Sequence, residues 1–257
     1  MVAASRTAAL LLIIFYESGL THGAATGKAE PRRIEVIHHA PCSASSGPRD
    51  PWIEFPSMHE STLRSFFPAL SCFVMQDGIV RVHRNITDVS NMQVYTSMRF
   101  GVGSKEPEPC SNADENNIGG VGSCRYCCMC GENNIKSRIT LLRNGYKQKC
   151  DDSTTALAAG DYDDLALKVC LPKKKEFLAM LDKDPAEAQK LWDLFMDELS
   201  LEGDNGFPVL MYMYMFKEPI NHLTDFEMQL KVDTRQDMIG CHWLYARLFD
   251  GYGDGED

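Results

Sequence analysis

The sequence predicts a mainly β protein, a disulfide-stapled β-sandwich or cup carrying one inserted amphipathic helix. Three observations lead there. About nine short runs alternate apolar and polar residues between turn signals. Ten cysteines are present, and five of them crowd into Cys110–Cys130, a stretch too rich in Asn, Gly and Ser for regular structure. One run alone, after Asp184, places apolar residues at helical spacing.

The cysteines are read through the compartment. Arg6 precedes an apolar run from Ala8 to Tyr16, and small residues surround Gly23, Ala24 and Ala25. That order predicts a secretory signal peptide over residues 1–23, with a run too short to span a bilayer; a buried N-terminal helix is the alternative. No later apolar run escapes interruption by a charge, so no spanning segment is expected. An even cysteine count in an oxidising compartment points to disulfides that include Cys72, Cys127, Cys128, Cys130, Cys150 and Cys170. Spacing does not set their connectivity, but adjacent Cys127 and Cys128 are not expected to bond to each other, because that ring is strained. A zinc site would rest on Cys124-x-x-Cys127 and Cys128-x-Cys130. It lacks a second well-spaced pair or a nearby His, so neither metal nor other cofactor is expected.

Signal removal would leave about 234 residues, one large domain or two small ones. Arg6 and Glu17 would leave together, keeping the net charge at −10. An acidic chain without a basic stripe argues against nucleic acid as a partner. It suits a lysosomal or an extracellular setting.

Taken in order, residues 24–33 are polar and expected to be disordered. A single domain is expected over 34–249. Ile34 to His38 alternates and reads as a first strand, with the His38–His39 pair better suited to a strand end than to a metal. Cys42 opens a Ser/Gly/Pro stretch that runs to Pro56. Cys72–Met75 and Ile79–Val82 read as strands flanking the turn signal Gln76-Asp77-Gly78. Asn85-Ile86-Thr87 is an N-glycosylation acceptor, so Asn85 should face solvent. Met92 to Phe100 puts Met92, Val94, Thr96 and Met98 on one strand face. After the cysteine-rich stretch come strands at Ile135–Arg143, ending in Asn144-Gly145, and at Leu165–Cys170, stopped by Pro172.

The helix begins at an N-cap acid, Asp184, with Pro185 first and Glu187 third. Leu191, Trp192, Phe195 and Leu199 share its apolar face, which predicts either packing on the sheet or a lid that touches a membrane. Strands follow at Val209–Phe216, Phe226–Val232 and Met238–Leu248. In the first of these, Met211, Met213 and Met215 alternate with Tyr212, Tyr214 and Phe216. Both faces are apolar, so the strand is covered on both sides or lines a cavity, and methionine suits an interior that must adapt. The tail, residues 250–257, is acidic and expected to be disordered.

Three features in this order carry a family resemblance. Gly78-Ile79-Val80-Arg81-Val82 precedes the Asn85 sequon. Pro109-Cys110 precedes Gly122-Ser123-Cys124-Arg125-Tyr126 and the Cys127/Cys128 pair. Phe216-Lys217 leads through Phe226-Glu-Met-Gln-Leu to Ile239-Gly240-Cys241-His242-Trp243. This pattern, over residues 70–248, resembles the ganglioside activator family within the ML lipid-recognition superfamily. The 110–124 loop is longer than that family's, two cysteines are extra, and a helical stretch at 174–203 replaces a shorter mobile segment. The resemblance implies a β-cup whose apolar cavity holds acyl chains, a role without chemistry, and presentation of a (glyco)sphingolipid to a hydrolase or receptor at a membrane surface. It implies that Cys241 bonds an N-terminal cysteine, Cys42 ahead of Cys72, and that Cys110 pairs with Cys124 in a compact loop. The cavity wall is then expected from the Met211/Met213/Met215 face or the Tyr212/Tyr214/Phe216 face.

No Gly-x-Ser-x-Gly, zinc-protease His pair or phosphate loop occurs, which agrees with a protein that is not an enzyme. Three readings remain: a lipid-binding or transfer protein, a disulfide-rich extracellular ligand or receptor module, and a hydrolase whose triad leaves no local motif.

Overall fold

A computed structural model describes residues 34–65, 72–101, 106–130, 138–147, 156–171, 174–180, 184–200 and 206–248. The expected signal peptide, the 24–33 stretch and the acidic tail lie outside these residues, as does Cys150. The chain is mainly β, with antiparallel pairing throughout its three sheets.

The first sheet runs in the order β1 (Ile34–Pro41), β13 (Met238–Leu248), β12 (Phe207–Phe216), β6 (Gln93–Phe100) and β7 (Arg125–Tyr126). The second runs β3 (Thr62–Ser65), β4 (Cys72–Gln76), β11 (Leu165–Cys170), β8 (Ile139–Arg143) and β9 (Tyr146–Lys147). A small third sheet joins β10 (Gly160–Tyr162), β5 (Val80–Val82) and β2 (Ile53–Glu54).

Period-two alternation builds the core. Val94, Thr96 and Met98 on β6, Met211, Met213 and Met215 on β12, and Leu244, Ala246 and Leu248 on β13 are all buried. From the second sheet come Phe73 and Met75, Ile139 and Leu141, and Leu165, Leu167 and Val169. The apolar members of both sets join one cluster, so the two large sheets pack as a sandwich. Each such side chain contributes about 1.5–3 kcal/mol by leaving water. Gly240 sits where β2 crosses β13: a Cβ there would lie 2.9 Å from Cγ2 of Ile53 and 3.0 Å from its carbonyl oxygen. Only a residue without a side chain lets Ile53 settle that close.

Several expectations are corrected. Phe226–Val232 is not a strand but part of α3 (Asp225–Thr234). Its N-terminus carries a full capping box, with Thr224 Oγ1 accepting from the Glu227 amide and the Glu227 carboxylate accepting from the Thr224 amide. The expected single helix is accompanied by two more, α1 (Lys174–Met180) and α3, around α2 (Pro185–Ser200). The N-terminus of α2 is held as expected, Asp184 Oδ1 accepting from the Ala186 amide at 2.9 Å. The turn after Gln76 is made, with Asp77 at φ 64°. The strands it joins nevertheless enter different sheets: β4 pairs with β3 and β11, and β5 with β2 and β10.

Disulfides join Cys42 to Cys241, Cys72 to Cys170 and Cys110 to Cys124. Cys72 and Cys170 stand opposite each other in the β4/β11 register, so that bridge is a cross-strand staple. Cys127 and Cys128, expected not to pair with each other, are bonded to each other. Their Cα atoms are 3.1 Å apart, which brings the two sulfurs together without any long-range closure. Cys130 is disulfide-bonded as well.

Candidate functional site

The interior between the sheets is unusually rich in methionine. Met75, Met92, Met98, Met129, Met211, Met213 and Met215 all belong to the main cluster, and none is more than 1% exposed. Strand register lines them up: Met211 faces Met98 on one side and Leu244 on the other, and Met213 faces Thr96 and His242. Met211, Met213 and Met215 have no accessible surface, so their face borders no open space large enough for water. Among the described residues, the methionine face is close-packed.

Helix α2 contributes to that closure. Trp192 is 5% exposed and part of the main cluster, against which Leu178 of α1 also packs. Trp192 is therefore packed on the core in this structure, the first of the two roles expected of the helix. The stripe's apolar periodicity reads the same for either role, and only burial separates them. The side chains of Leu191, Phe195 and Leu199 lie outside the described set.

The other face of β12 lies away from the methionine interior and packs in part into a second, smaller core. Tyr212 and Tyr214 belong to a row of rings across the outside of the first sheet. Tyr95 and Tyr214 have centroids 6.4 Å apart, Tyr212 and Tyr214 5.9 Å, Tyr212 and Trp243 6.3 Å, and Trp243 and His38 4.9 Å. One end lies in a second cluster with Phe216, Ile220, Met228 of α3, Met238 and Cys241. Burial there pushes the Tyr214 hydroxyl up to about 12.

The cysteine-rich loop is a compact, polar-bonded unit. Ser111 and Val121 exchange two backbone hydrogen bonds of 2.9 Å, and Asp114 Oδ1 accepts from the Asn116 and Ile118 amides. Gly122 takes φ +102°, and a Cβ there would stand 2.2 Å from the Pro109 carbonyl oxygen. The loop hands over to β7, where the buried Arg125 guanidinium donates to Asp225 of α3 at 2.9 Å. Sequence reading missed this tie between loop and helix, whose partners lie one hundred positions apart. Open cavities among the described residues include two on the flanks of the fold. One of about 330 Å³ lies between the loop and α1, lined by Gly120, Val121, Arg138, Lys175 and Glu176. One of about 380 Å³ lies against the second sheet over Val74, Leu142 and Ala166. Neither involves β12.

Asn85 is exposed, its Oδ1 accepting from the Ala159 amide at 2.7 Å. His39 and His242 are fully buried, and Nδ1 of the first lies 3.1 Å from Nε2 of the second. Phe55, a core residue, meets the His242 ring edge-on at 6.4 Å. Among the described residues no group of three or more His, Cys, Asp or Glu is arranged to hold a metal, and no helix is long and apolar enough to cross a membrane. No family model and no curated protein matches the chain.

Proposed function

We propose that the chain is a lipid-binding protein of the secretory route, secreted or lysosomal, that takes the acyl chains of a (glyco)lipid between its two large sheets and presents the headgroup to a protein partner. The observation that carries this reading is the seven-methionine interior. Methionine is unbranched and flexible, and it repacks around an inserted chain at less cost than a β-branched core. Lipid entry then requires the sandwich to part, since the methionine face is close-packed. The resemblance to the ganglioside activator family supports the same reading. Its disulfides suit an oxidising compartment, and an exposed Asn85 is a fitting glycan acceptor. Membrane contact is transient, and the protein performs no chemistry of its own.

The test is native mass spectrometry of protein secreted without detergent, together with transfer of a fluorescent glycosphingolipid between vesicles. Stoichiometric bound lipid and protein-dependent transfer are expected, both reduced at least tenfold by Met213→Lys. Protein free of lipid that moves none at any pH from 7 to 4.5 overturns the reading.

A second reading has its own observation. Phe226 and Leu230, one turn apart on α3, are 78% and 50% exposed. An interaction module would use such a pair as its contact, and its binding would depend on Phe226 while ignoring Met213.

A further inference from the structure

The acyl-chain reading assigns no role to the imidazoles of His39 and His242, yet both have 0% exposure inside an apolar sandwich. His39 lies on β1, which pairs only with β13 and so forms the sheet's edge; His242 lies on β13. One hydrogen bond of 3.1 Å joins them. The outward nitrogens, Nε2 of His39 and Nδ1 of His242, are buried without a hydrogen-bond partner. A hydrogen bond between imidazoles needs one neutral acceptor, and a second proton would set two cations side by side. Among the described residues, no carboxylate pairs with either imidazole. Glu54 of β2 is engaged with His83, and Glu60 with Ser57 and Arg81. The other titratable group acting on the pair is His38, itself an imidazole.

We propose that His39 and His242 form an acid-labile latch, which holds β1 against β13 near neutral pH and releases the strand on acidification. Burial, and then the neighbouring imidazoles, lowers His39 to about 4 and His242 to about 3, against 6.5 in an open chain. A folded value below the open value means that the latch stabilises fully above about 6.5 and weakens as pH falls towards the folded values. Two protons taken up on opening raise the opening equilibrium by up to about 100-fold per pH unit in that window. The Cys42–Cys241 bridge, next to both histidines in sequence, keeps the released strand tethered for reclosure. The latch does not depend on the lipid reading, and the two tests measure different quantities.

Hydrogen exchange on the full-length secreted protein, corrected for the intrinsic pH dependence of exchange, tests the latch. Protection of peptides covering 34–41 should fall at least tenfold per pH unit between about 6 and 4.5, while 165–170 stays protected. His242→Gln should reduce the slope towards one proton, and His39→Leu with His242→Met should abolish it. If the double variant fails to fold, ¹H NMR of the secreted wild type still decides, since two of the six histidines left once His22 departs with the signal peptide should stay neutral down to about pH 5. Every histidine titrating near 6.5, pH-independent protection of 34–41, or an unchanged slope in His242→Gln overturns the proposal.

Discussion

Replacing Trp192 with alanine separates a structural helix from a mobile lid. The indole is 5% exposed and sits in the main core cluster with the methionines. A Trp side chain buries roughly 150–250 Å², worth about 4–6 kcal/mol at ~25 cal/mol per Å² and somewhat less against a compact unfolded state. Measured truncations of core aromatics cost about 3–5 kcal/mol, and the flexible neighbours here favour the lower half through partial collapse. For a domain of this size each kcal/mol lowers Tm by about 2–4 °C, so a drop of about 6–15 °C is expected. Urea titration at pH 7 with the disulfides intact measures the loss directly. A loss under about 1 kcal/mol, accompanied by weaker vesicle binding, would refute the burial argument and restore the indole to a membrane face.

Two further substitutions test the frame. Gly122→Ala places a Cβ against the Pro109 carbonyl at positive φ, so thermal denaturation should register a loss of about 1–3 kcal/mol or more, whereas a neutral result would mean that the loop is free to rearrange. Joint replacement of Cys72 and Cys170 by serine should cost about 2–5 kcal/mol in urea titration, because the staple closes a long loop, and an unchanged midpoint would show that β4 and β11 hold each other unaided.

The long strands were legible because their burial follows local alternation. Met92 to Met98, Leu165 to Cys170, and the paired runs ending at Phe216 and Leu248 all carry their inward faces in plain period two. The edge strands Thr62–Ser65, Tyr146–Lys147 and Gly160–Tyr162 were not, since two to four residues hold no period and their pairing is decided by distant partners. Phe226–Val232 misled because Phe, Met, Leu and Val also fit a strand. The signal that outweighs them, Thr224 with Glu227 three residues on, was present and points to a helix. The histidine latch was unreadable for a different reason. A His-His dipeptide at a strand end says nothing of a third imidazole two hundred positions away, and only the β1/β13 register brings them together.

The sheet margins bear on how this protein survives at high concentration. Among the described residues, every edge strand except β1 is four residues or fewer, too short to template a neighbouring chain. β1 is eight residues long, but its pairing is interrupted by a bulge between Val36 and His38, and it ends in Pro41, which offers no amide hydrogen. Among the described residues, the abbreviated or bulged margins leave little edge for strand addition from another copy as long as β1 stays on β13.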